Sequence, residues 1–155
     1  MPKVDFYLLD NTSDQAGLHF ACRLVAQLYR NKQSVYLHAE NESYVEQIDQ
    51  QLWSFRADSF LPHEVIQQGA SQQKELNNKT TAHLPVVISC SLETAHNADV
   101  LINLSESTPP FYERFARLAE IVPGDERRRA ILRKHYRVYK DNGCEIATHK
   151  ITVSS

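Results

Sequence analysis

The sequence predicts an α/β fold: one domain built around a mostly parallel open sheet. Three observations carry this reading. Short apolar runs rich in β-favouring residues recur along the chain, stretches with helical spacing of apolar residues separate them, and 155 residues with 42% hydrophobic content suffice for one core. Strand and helix in alternation favour parallel pairing, because each helix serves as the crossover that returns the chain to the same end of the sheet.

Residues 4–9, VDFYLL, read as a strand buried on both faces, bounded by Asp10 and Asn11. A helix capped by Ser13 or Asp14 follows, with Leu18, Cys22, Val25, Leu28 and Tyr29 at helical spacing until Asn31. Residues 34–38, SVYLH, form the next strand. Glu40 and Asn41 turn the chain into a second helix through Tyr44, Val45, Ile48, Leu52 and Trp53. Residues 54–85 are less regular, and the Gln, Asn, Lys and Ser richness of 67–81 predicts a long surface loop. Two short strands follow at 85–89 and 100–104. Residues 117–122 read either as a strand or as the end of a short helix from Phe111; Pro123 and Gly124, which close the run, favour the strand.

The last helix, from Asp125 to Asn142, holds the least ordinary pattern. Ile131, Leu132, His135, Val138 and Tyr139 fall on one side, spaced to face a core. Arg129, Arg133, Tyr136 and Lys140 recur at i, i+4, i+7 and i+11 and share a narrow ridge beside it. These 18 residues sum to +4 in a chain of net charge -2, so the basic character is local. Asp125 suits the N-cap and Glu126 the first turn, yet Arg127, Arg128 and Arg129 follow where the helix dipole is already positive. That placement costs a few tenths of a kcal/mol per charge, and it marks the helix start as a place for an anion. Gly143 suits the C′ position, and residues 143–155 read as an edge strand or a loose tail.

Several function classes find no support. The four glycines, Gly17, Gly69, Gly124 and Gly143, allow neither of the glycine-rich phosphate motifs, so the sheet lacks a nucleotide-binding loop. Seven histidines show no metal-ligand spacing, the cysteines Cys22, Cys90 and Cys144 lie far apart, and neither a metal nor a cofactor is expected. His63 and His135 read as structural. Ser89, Cys90 and Ser91 end a strand without the nucleophile-elbow glycines. The cysteine pattern and the absence of a signal-like or membrane-spanning run predict a cytoplasmic protein with no membrane contact. The aromatic group Trp53, Phe55 and Phe60, with Leu61 and Pro62, flanks a charged turn, a composition common in protein-binding patches and also in helix ends that pack into a core.

Taken together, FYLLDN at 6–11, Leu52-Trp53 with SFLPH at 59–63, DVLINL at 99–104, and Val122-Pro123 with Arg133 and Tyr136 resemble the chi subunit family of bacterial DNA polymerase III. The order holds from Phe6 to about Gly143, and SFLPH is the most specific element. The resemblance implies a Rossmann-like three-layer fold without a nucleotide site, serving as a non-catalytic adapter of the clamp-loader assembly. It implies two partners: the psi subunit, through Trp53, Phe60, Leu61 and Pro62, and the acidic C-terminal tail of single-stranded DNA-binding protein, through Arg129, Arg133, Tyr136, Val122 and Arg128. DNA contact would then be mainly indirect, and the protein a monomer that forms a heterodimer. Residues 67–81 depart from the family in composition. Two other readings stay open, direct binding of single-stranded nucleic acid by the basic helix and a small enzyme on the same scaffold.

Overall fold

The computed structural model describes residues 2–10, 13–54, 63–66, 86–91 and 98–152, with only the backbone of residues 14, 53, 54, 63, 64 and 66. Strand β1 (Lys3–Leu9) leads to helix α1 (Asp14–Arg30), β2 (Val35–His38) and α2 (Glu42–Ser54). Then come β3 (His63–Ile66), β4 (Val86–Ser89), β5 (Val100–Asn103), a 3-10 turn (Tyr112–Arg114) and β6 (Arg117–Val122). Helix α3 (Glu126–Asp141) and β7 (Glu145–Ile151) close the described fold. The seven strands form one sheet in the order β3-β4-β2-β5-β6-β1-β7, with every pair parallel. It is a Rossmann-like three-layer α/β fold.

The elements form where local chemistry says they should. Ser13 caps α1 by accepting from the Ala16 amide at 3.1 Å, and Asp125 caps α3 by accepting from the Arg128 amide at 3.2 Å. At the far end of α3, Gly143 takes φ 80°, a left-handed conformation that a side chain disfavours. Residues 117–122 are a strand, as Pro123 and Gly124 suggest, and residues 145–151 are an edge strand paired with β1 along seven positions. The strand His63–Ile66 is an addition, since its four residues lie in a stretch that reads as irregular. The loop expected at 67–81 lies outside the described residues.

Alternation along the strands divides the core into two faces. Leu9, Val35, Leu37, Val100, Ile102, Ala119 and Ile121 pack against α1 and α2. Val4, Phe6, Tyr36, Leu101, Leu118 and Val122 pack on the other face with Tyr139 of α3 and with Phe111, Tyr112 and Phe115. The connection from β5 to the adjacent parallel β6 therefore covers the sheet with three aromatic rings instead of a full helix. Burying a side chain of that size contributes about 1.5–3 kcal/mol. Among the described residues, no helix is long and apolar enough to cross a membrane.

Candidate functional site

Helix α3 packs over β6, β1 and β7 at one side of the sheet and buries only a thin edge, His135 and Tyr139, with Ile131 and Leu132 half-buried. Val138, which the spacing assigns to the core, is instead 37% exposed. The helix needs less covering because the aromatic connection before β6 already occupies part of that face.

Arg133, Tyr136 and Lys140 of the ridge predicted from spacing are exposed. Tyr136 is 38% exposed and stacks on the buried Phe6 ring, with centroids 5.9 Å apart and planes at 30°. Arg133 is exposed and reaches Glu126 at 3.8 Å, a pairing of two solvated groups worth well under about 1 kcal/mol. Arg129 is half-buried, and its guanidinium lies 3.5 Å from the point where a Cβ on Gly124 would stand. That point is also 2.8 Å from the Leu9 carbonyl oxygen, so only glycine lets the β6–α3 turn pass so close to the end of β1. The like charge at the helix start is partly answered from outside the helix: Arg127 pairs with Glu106 at 2.5 Å.

The other flank of α3 borders a cleft of about 350 Å³ at the carboxyl ends of β5 and β6. Val122 and Arg128 line it with Tyr44, Leu104, Leu132 and His135. Of the five residues expected to hold a peptide tail, the structure therefore places Arg129, Arg133 and Tyr136 on one flank and Arg128 and Val122 towards the cleft. Val122 is buried and sits opposite Leu8 in the β1–β6 register. For the expected psi-binding patch, Phe60, Leu61 and Pro62 lie outside the described residues, and of Trp53 only the backbone, in α2, is described.

Beneath the helix is a polar network that spacing did not reveal. Glu120 of β6, 4% exposed, accepts from Asn103 Nδ2 at 3.0 Å and from the Tyr139 hydroxyl, and faces His135 Nδ1 at 3.1 Å. His135 Nε2 meets the Glu106 carbonyl oxygen at 3.1 Å. Both ring nitrogens thus face acceptors, and only the doubly protonated imidazolium donates to both. Burial opposes that charge, but the hydrogen bond and charge of Glu120 and the Glu106 carbonyl outweigh it, and the His135 pKa is raised. Burial and the adjacent Glu120 also raise the Tyr139 phenol. The acid within LAEIV at 118–122 was the one sequence signal, a carboxylate where a two-sided buried strand should be apolar.

Comparison with known proteins settles the relationship. The family model for the DNA polymerase III chi subunit, HolC, matches residues 1–147. The chain belongs to the DNA polymerase III chi subunit family. Its similarity to DNA polymerase III subunit chi of Pseudomonas aeruginosa is 31% identity over 151 residues, covering 97% of this chain and 98% of that one. The same subunit of Escherichia coli is 27% identical over 153 residues, covering 96% and 97%, and that of Haemophilus influenzae 26% over 148, covering 94% and 95%. Chi family membership makes this chain an accessory subunit of DNA replication. The S. cerevisiae Dbp5 C-terminal domain, solved with Gle1 and IP6, superposes with a TM-score of 0.65 at 10% identity, covering 98% of this chain and 92% of that one, a likeness of fold alone.

Proposed function

We propose that the protein is a non-catalytic subunit of the replicative DNA polymerase III holoenzyme that joins the clamp loader, through psi, to the acidic C-terminal tail of single-stranded DNA-binding protein in the cytoplasm. The observation that carries the reading is the α3 ridge, where Arg129 and Arg133 stand two turns and one turn ahead of the exposed Tyr136 and neither guanidinium is held in a buried ion pair among the described residues. A peptide that ends in an aromatic residue with a free carboxylate needs a cationic fork, a surface for its ring, and further cations for its acids. Arg133 takes the terminal carboxylate. Tyr136, backed by Phe6, receives the ring together with Val122.

Arg129 lies one turn towards the helix N-terminus, about 6 Å of rise, a distance spanned by about two residues of extended peptide. Upstream acids therefore run past Arg129 towards Arg128, where the helix dipole also favours negative charge. The psi contact is assigned to Trp53, Phe60, Leu61 and Pro62.

The test is titration of a tail peptide into the wild type and into Arg133→Ala and Tyr136→Ala. Each substitution should weaken binding at least about tenfold, or about 1.4 kcal/mol, and wild-type affinity should fall as salt screens the approach. Unchanged affinity in both variants removes the ridge from tail binding. If the ridge bound an oligonucleotide in preference to the peptide, it would be a nucleic-acid surface instead. Loss of psi co-purification in Trp53→Ala tests the second contact.

A further inference from the structure

A second cleft, of about 490 Å³, opens between α1 and the β1–β7 end of the sheet, on the face opposite α3. Its size falls within the range of about 300–1,000 Å³ usual for ligand clefts. Tyr7, Phe20, Arg23, Arg30, Arg117 and His149 line it, and among the described residues no Asp or Glu does.

The rings are ordered. Tyr7 and His149 stack with centroids 5.0 Å apart and planes at 20°, and Phe20 stands 5.3 Å from Tyr7. The Arg23 guanidinium lies 6.0 Å over the Phe20 ring. Asp5, buried beneath, is within 3.0 Å of His149 Nε2 and 3.5 Å of Arg117, so one carboxylate fixes both the ring and the third cation. Arg23 and Arg30 have no carboxylate partner among the described residues.

We propose that this cleft binds a short stretch of single-stranded nucleic acid. A base stacks beside the Tyr7–His149 pair, and its flanking phosphates are held by Arg23, Arg30 and Arg117. Cations along a groove with planar rings between them match a strand whose charges and flat faces alternate. An acidic peptide would satisfy the guanidiniums but leave the stacked pair without a role. A duplex keeps its bases paired inside and would present no face to it. The surface is separate from the α3 ridge, so this contact does not depend on the tail-binding proposal.

The experiment is fluorescence anisotropy of a labelled oligothymidylate with the intact chain at low ionic strength. Binding should weaken with salt. Arg23→Ala combined with Arg30→Ala, two exposed positions, should weaken it at least tenfold and lower the salt slope by about 1.4, about 0.7 for each lost phosphate contact. His149→Ala should weaken it several-fold, while Arg129→Ala combined with Arg133→Ala should leave it unchanged. Circular dichroism checks that each variant is folded. The proposal is overturned if the oligonucleotide does not bind, if the groove variant binds as well as the wild type, if the α3 variant is the one that fails, or if an acidic peptide occupies the groove and the oligonucleotide does not.

Discussion

Replacing His135 with leucine tests the network beneath α3. The substitution keeps much of the side-chain volume but removes both hydrogen bonds, leaving the buried Glu120 carboxylate, among the described residues, with Asn103 and Tyr139 as its donors and the Glu106 carbonyl with none from the ring. Both partners of the His135–Glu120 pair are about 95% buried, so breaking it strands a charge out of water, at a cost of about 3–5 kcal/mol. For a chain of this size that corresponds to a fall in Tm of about 6–20 °C. The effect should depend on pH in a fixed direction. The folded-state pKa of His135 is raised, so its stabilisation is complete below the unfolded value of about 6.5 and is lost as pH rises through the folded value. Urea unfolding of wild type and His135→Leu, compared from pH 5.5 to pH 9, should therefore show a gap that is widest at the acid end and narrows above it. A gap that stays constant or widens towards alkaline pH, or two proteins of equal stability at pH 6, would refute the charged-pair account.

Gly124→Ala should destabilise the protein by about 1–3 kcal/mol in urea unfolding and also weaken tail binding, because its Cβ would stand 2.8 Å from the Leu9 carbonyl and 3.5 Å from the Arg129 guanidinium. Gly143→Ala, at φ 80°, should cost about 1–2 kcal/mol in the same assay and leave tail binding intact. Burial pushes the Cys22 thiol up to about 12, so at pH 8 it should resist a thiol reagent in the folded protein and react on unfolding; modification of the folded protein at the rate of a free thiol would contradict that burial.

Much of the fold was legible because its signals are local. The caps at Ser13 and Asp125, the C′ glycine at 143 and the strand ended by Pro123 each follow from a few neighbouring residues. The Arg129–Arg133–Tyr136 ridge was legible for the same reason, since helical spacing alone puts those side chains in a row. What escaped the sequence depends on pairing between distant strands. The sheet order places Asn103 opposite Glu120, and only that register turns an acid in an apolar run into a satisfied network with His135. Likewise, Phe6 lies under Tyr136 because β1 runs beside β6, and His149 stacks on Tyr7 because β7 pairs with β1. The exposure of Val138 has the same origin, as helical periodicity gives the direction of a face but not how much of it the sheet covers.

If α3 grips the free end of an acidic peptide, the terminal carboxylate must contribute to the affinity. Calorimetric titration of the tail peptide bearing its terminal carboxylate, against the same peptide ending in an amide, measures that contribution. The amide should bind at least about tenfold more weakly to the wild type, and that difference should vanish in Arg133→Ala. Equal affinity of the two peptides for the wild type would contradict that grip.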